Sequence, residues 1–180
     1  MDRRQRKTRD AIFQAFISLL EKKQFNQITV GQIIDTANVG RATFYAHFET
    51  KDYLLKELCE ELFNHIFESA TGAKTARSHL FDCDAPNSVF LHLLQHLKVN
   101  DNQFLKLFSG RNNELFLSYF KENIKTLVEL FDIKKPDILP EDFWINYISS
   151  TLVETVKWWI EHDMQQSPEQ IAEYFLHAIS

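Results

Sequence analysis

Glycine and proline are scarce, four of each in 180 residues. So few turn-formers argue against a many-turned sheet protein and for helices. Cysteine is scarcer still: Cys59 and Cys83 stand alone, without CxxC spacing or the density of a secreted disulfide scaffold, so both are expected to be reduced thiols. No run approaches the ~20 apolar residues of a membrane span, and the charged start MDRRQRKTRD is unlike a signal peptide. A cytoplasmic protein without membrane contact is expected. Also missing are a Ser/His/Asp set, a paired-carboxylate set and a Gly-rich phosphate loop at useful spacing, so neither an enzyme nor a cofactor is expected.

What is present is unevenly spread. Residues 1–48 carry eight Lys/Arg against four Asp/Glu, a balance of +4, while the remainder carries −9 of the net −5. A basic head on an acidic body can still touch phosphate through its head. Arg3, Arg4, Arg6, Lys7 and Arg9 are its densest part, read as a tail ahead of the first helix.

Thr8 or Asp10 is expected to cap that helix, whose apolar positions Ile12, Phe13, Phe16, Leu19 and Leu20 recur at helical spacing as far as Lys23. Thr29 then caps a second helix carrying Ile33, Ile34 and Ala37, a better reading than a strand with no partner. Thr50 caps a long fourth helix striped by Leu54, Leu55, Leu58, Leu62, Phe63 and Ile66. Residues 71–86 lack periodicity and read as a flexible loop, with further helices expected at about 87–99, 102–109, 112–132, 140–163 and 168–179. The fold class is therefore all-α. A three-helix head, residues 1–48, precedes a larger helical body, residues 49–180, with the helix at about 50–68 as the link.

The short third helix lies in NVGRATFYAHF, residues 38–48. Two short helices joined by a tight turn suit a helix-turn-helix that lays its second helix in the DNA major groove. At about 100° per residue, Phe44 and Phe48 share one face, which must point inward, and Ala42 and Ala46 share the opposite one. Thr43 and His47 flank the alanines on one side, Arg41 and Tyr45 on the other. Alanines admit close approach to base edges, and the flanking polar groups reach phosphates or bases.

The stretch ITVGQIIDTANVGRATFYAHFETKDYLL resembles the DNA-binding signature of the tetracycline-repressor (TetR) family. In order it matches at Phe25, Thr29-Val30, Ile33, Ala37, Val39, Thr43-Phe44-Tyr45, His47-Phe48, Lys51 and Leu54. The close resemblance spans about residues 8–60 and beyond them rests on helix count and spacing. It implies that Thr29 binds a phosphate at a helix N-terminus, that Arg41 and Thr43 face base edges, and that Tyr45 meets a base or the adjacent backbone. His47 and Lys51 would hold phosphates. Two positions depart from the usual pattern: Asn38 replaces a glycine but tolerates a left-handed turn, and Gly40 replaces a hydroxyl residue, so no phosphate role is carried over to it.

The resemblance also implies a homodimer on palindromic double-stranded operator DNA, released when a small-molecule effector in the body shifts helix four. Independently, the apolar residues of PEDFWINYISSTLVETVKWWIEHD spread over more than half of the helix circumference, beyond the ~100° that one core contact requires. With a similarly broad last helix, this predicts a four-helix interface between two copies using Trp144, Ile148, Leu152, Trp159, Phe175 and Ile179. Sixteen phenylalanines make the chain rich in aromatic side chains. His65, Phe90, Phe104, Phe108, Phe116, Tyr119 and Phe120 are the candidate lining of an effector pocket.

His92 and His96, spaced i, i+4, lie on a flank away from the stripe Phe90, Leu93, Leu94, Leu97. That placement predicts solvated histidines and no metal centre. A metal-responsive regulator built on His79, Cys83, His92 and His96 remains one alternative, and a family-like adaptor or co-activator that no longer reads DNA is the other.

Overall fold

The computed structural model describes residues 3–71, 88–99, 107–108, 114–130 and 135–179. Within them the chain forms α1 (Arg3–Leu20), a single 3-10 turn (Phe25–Gln27), α2 (Val30–Ala37), α3 (Arg41–His47), α4 (Lys51–Thr71), α5 (Val89–Val99), α6 (Glu114–Leu130), α7 (Glu141–Glu161) and α8 (Pro168–Ala178). No strand occurs among the described residues. The expected helix over 102–109 lies outside them apart from Leu107 and Phe108, and so does the expected loop over 71–86 apart from Thr71, which ends α4.

α1 starts at Arg3, so the basic stretch is helical rather than a tail. Arg, Gln and Lys are good helix formers, and the Thr8 hydroxyl donates back to the Arg4 carbonyl at 3.1 Å instead of capping. Ile12, Phe13, Phe16 and Leu20 form the buried stripe of α1. Thr29 caps α2 in a reciprocal box: its hydroxyl accepts from the Gln32 amide at 3.2 Å, and the Gln32 side chain accepts from the Thr29 amide at 3.1 Å. α2 stops at Asn38, which takes φ 53° and ψ 48°. The Val39 amide closes this left-handed turn by donating to the Ile34 carbonyl at 3.1 Å.

Thr50 caps α4, its hydroxyl accepting from the Tyr53 amide at 2.9 Å. The expected stripe Leu54, Leu55, Leu58, Leu62, Phe63, Ile66 is buried throughout. In the body α4 packs on α5 and α6, α5 on α8, and α7 on both α6 and α8. The turn between α7 and α8 is pinned from inside, since the Lys98 ammonium donates to the Met164 carbonyl at 2.6 Å and the Trp159 indole to the Gln166 carbonyl at 3.1 Å. Ser167 and Gln170 box the start of α8, where Pro168 follows the cap. None of the described helices is long and apolar enough to cross a membrane.

Candidate functional site

Phe44 of α3 and Phe48, which caps its C-terminus, are completely buried. Phe13 of α1 meets Phe48 edge-on at 5.2 Å between centroids. Arg41, Ala42, Thr43, Tyr45 and Ala46 are exposed on the other side. Tyr45 is 47% exposed, with its ring edge against Phe44. A seven-residue helix anchored by two aromatics thus presents two methyls, a hydroxyl, a phenol and a guanidinium to solvent. Backbone approach at the alanines with polar reach on either side is what base-edge reading in a major groove requires.

Thr29 is exposed as well as capping. Its hydroxyl oxygen accepts the Gln32 amide, which leaves the O–H to donate outward. His47 is half-buried, and burial together with the nearby Arg9 charge holds its imidazole below the ordinary value.

Two cations in and beside the head are held by the protein itself. Lys51, expected at a phosphate, donates from Nζ to the carbonyls of Phe25 and Ile28, each at 2.8 Å, and lies 4.2 Å over the Phe25 ring. It ties the start of α4 to the loop before α2. Between α1 and α2 the Phe25 carbonyl also accepts the Ile28 amide at 3.2 Å, closing the 3-10 turn, and a first-turn lysine of the next long helix is within reach of it and of the Ile28 carbonyl. Arg9, counted among the basic residues of the head, pairs with Glu57 and, at 3.3 Å, with Glu61 of α4. Its guanidinium also stacks 4.9 Å from Phe13 and 5.0 Å from Phe48. Burial alone would raise the Glu57 carboxyl, but hydrogen bonds from Arg9 and Tyr53 and the Arg9 charge hold it below the usual range. Arg9 is thus a clamp between head and bridge helix, and the exposed cations of α1 are Arg3, Arg4, Arg6 and Lys7.

Residues 12–58 match the family of bacterial regulatory proteins named tetR, and residues 84–180 match the transcriptional regulator C-terminal region of that family. A solved TetR transcriptional regulator from Streptococcus agalactiae is 34% identical over 99% of this chain and 97% of its own, with a TM-score of 0.69. The chain belongs to the TetR family. It is accordingly a helix-turn-helix transcriptional regulator with a DNA-binding head and a helical carboxy-terminal domain. An HTH-type regulator of Bacillus subtilis, YxbF, is 25% identical over 98% of this chain, which spans only 45% of that relative. The HTH-type dhaKLM operon transcriptional activator DhaS of Lactococcus lactis is 28% identical over 72% of this chain and 65% of its own length.

In the body of this TetR-family protein, the described candidate pocket residues fall into three groups. Phe108, Phe116 and Phe120 pack edge-on, Phe108 lying 4.9 Å from Phe116 and 5.0 Å from Phe120, and Phe63 of α4 joins them at 5.3 Å from Phe120. Tyr119 is partly buried against this core. Phe90 belongs elsewhere, against Phe175 of α8 at 5.1 Å. His65 points toward neither group: its ring lies 5.1 Å from that of His92 and 4.8 Å from that of His96. Phe104 lies outside the described residues, as do His79 and Cys83.

His92 and His96 correct the solvated reading, being 1% and 6% exposed. Their flank of α5 is covered by α4, because a helix packed between α4 and α8 buries more than its leucine stripe. Their Nε2 atoms are 3.1 Å apart. Burial first, and then the neighbouring imidazoles, lower both to about 4, so both rings are neutral at physiological pH.

The expected dimer residues Trp144, Ile148, Leu152, Trp159 and Phe175 are at most 5% exposed and lie in the chain's own core, and Ile179 is partly buried beside it. The broad apolar arc has two halves, and these residues form the inner one. The outer half, missed from the sequence, is Phe143, Tyr147 and Trp158 of α7 with Tyr174 and Leu176 of α8, all exposed. An open groove between the two helices runs past Thr151, Glu154, Thr155, Trp158, Tyr174 and Ala178.

Proposed function

We propose that this regulator is a repressor that binds a palindromic operator as a homodimer and leaves it when a small-molecule effector is bound in the body. The observation that carries the reading is the outward face of α3, in which Arg41, Thr43 and Tyr45 surround exposed alanines over a fully buried Phe44–Phe48 anchor. One such helix reads few base pairs, so two are needed at a fixed half-site spacing. The apolar outer faces of α7 and α8 are the surface for the second copy, since contiguous exposed aromatics mark protein contacts.

α4 supports the release step. It is clamped to the head through Arg9 and packed on α5 and α6 in the body, so a shift of α4 moves α3 relative to the dimer axis. The sign of regulation has a second reading: DhaS, a relative by sequence, is by its name an activator.

Selection of bound sequences from random duplexes should return a palindrome, and a single non-repeated half-site would sink the dimeric reading. Tyr45→Ala should weaken binding of the selected duplex by about 10-fold with an unchanged melting curve. Lys51→Ala should instead lower the melting temperature, because the Ile28 carbonyl loses the Lys51 donor, at about 1–3 kcal/mol, and the Phe25 carbonyl keeps only the Ile28 amide. A reporter fused to the selected operator decides between repressor and activator.

A further inference from the structure

Three imidazoles meet between α4 and α5. His65 comes from α4, while His92 and His96 stand one turn apart on α5. One ligand nitrogen from each lies within 4.8 Å of the others, and the closest pair is 3.1 Å apart. In a tetrahedral zinc site, bonds of about 2.0–2.1 Å place ligand nitrogens about 3.3 Å from one another. The cluster therefore needs only small side-chain adjustments to close on an ion.

We propose that His65, His92 and His96 form a site for a divalent first-row transition metal ion, with Zn²⁺ the best match, bridging helix α4 to helix α5. The chemistry of the donors selects the class. Three imidazoles without a carboxylate suit zinc, cobalt, nickel or copper, and do not suit magnesium or calcium, which require oxygen ligands. The i, i+4 pair on α5 is the spacing by which one helix face offers two nitrogens to one ion. His92 and His96 are buried and His65 only partly so, which gives the site a floor and an entry path.

The location adds a consequence. An ion here would fasten the bridge helix to the body at the point through which an effector signal has to pass. That consequence rests on the regulator reading above, whereas metal binding itself is read on DNA-free protein, so either can fail without the other.

The test uses the full-length chain, stripped with chelator and titrated with Zn²⁺ by calorimetry and with Co²⁺ by visible absorption. One ion per chain is expected, with a Kd at or below about 1 μM, together with the intense d–d bands of four-coordinate cobalt. His65→Ala and His96→Ala should each weaken binding on the order of 100-fold, at least the loss caused by removing a mere supporting contact of a metal ligand. His162→Ala, at an exposed histidine of the α7 end, should bind as the parent does. Zinc should raise the melting temperature of the parent and not of His65→Ala, a variant at a partly exposed position that circular dichroism checks for fold. Absence of stoichiometric binding by the parent overturns the proposal, as does binding that survives the His65 and His96 substitutions.

Discussion

On α3 the side chains turned to solvent are Arg41, Ala42, Thr43, Tyr45 and Ala46, whereas on α7 and α8 they include Phe143, Tyr147, Trp158, Tyr174 and Leu176. Both faces belong to amphipathic helices whose opposite sides are sealed in the same core. The difference lies in what each exposed side can satisfy. Small and polar groups pair with a hydrated, charged partner, and DNA interfaces are of this polar, wet kind. Large apolar rings gain chiefly by leaving water, and a second protein surface offers that.

The largest effect is expected where that contrast is broken outright. Trp158→Glu places a charge on the apolar outer face without touching the core, and should cost roughly 2–4 kcal/mol of dimerisation. Sedimentation velocity should show a monomer, and operator affinity should fall by about 100-fold. Arg41→Ala should weaken operator binding and leave the dimer intact. A Trp158→Glu chain that remains dimeric would move the interface elsewhere.

An intermediate effect should come from the clamp that sets α3 against α4. Glu57 has a folded pKa below its unfolded value. Its contribution is therefore fully present above the ordinary carboxylate range and is lost as pH falls through the lowered folded value. Because Arg9 and Glu57 keep under a fifth of their side-chain surface in solvent, the pair should contribute about 1 kcal/mol, the upper end for such pairs. Glu57→Gln should lower urea stability by about that amount at pH 7 and flatten the acid limb of the stability profile. Equal acid sensitivity in the parent and Glu57→Gln would assign the clamp no role.

The smallest effect sharpens the DNA face. Gly40 caps α3 with extended backbone at φ −75°, and a Cβ there would meet only the Thr43 hydroxyl at 3.7 Å. No conformational need holds glycine in place. Gly40→Ser should add a few tenths of a kcal/mol through a capping hydroxyl and tighten operator binding a few-fold if that hydroxyl also reaches a phosphate. Chemical denaturation and anisotropy measure the two separately.

Much of this was legible before the fold was known. The Phe44/Phe48 inward face, the Thr29 and Thr50 caps, the left-handed turn at Asn38 and the stripe of α4 all follow from short-range rules, in which a residue interacts with neighbours at most five positions away. The internal partners of Lys51, Arg9 and His92 were not legible, for a common reason. Each has its partner far along the chain: Lys51 in the loop before α2, Arg9 at Glu57 and Glu61, and His92 at His65. A basic residue near a DNA-reading helix is equally consistent with a phosphate contact or an internal tie, and periodicity does not distinguish them.

The broad arc of α7 illustrates the same limit within one helix. Its width required two neighbours, but Trp144 and Trp158 are alike as letters, and only packing on α6 and α8 made the first core and the second surface. By itself the sequence determined the described helices, their caps, the outward face of α3 and the family to which the chain belongs, because periodicity, capping and a dense local motif are written in consecutive residues. The tertiary structure alone decided which cations are paired inside the protein, which aromatics of α7 and α8 stay exposed, and that three histidines from two helices share one place. Those outcomes depend on which helix faces meet, a relation between distant segments that no local pattern encodes.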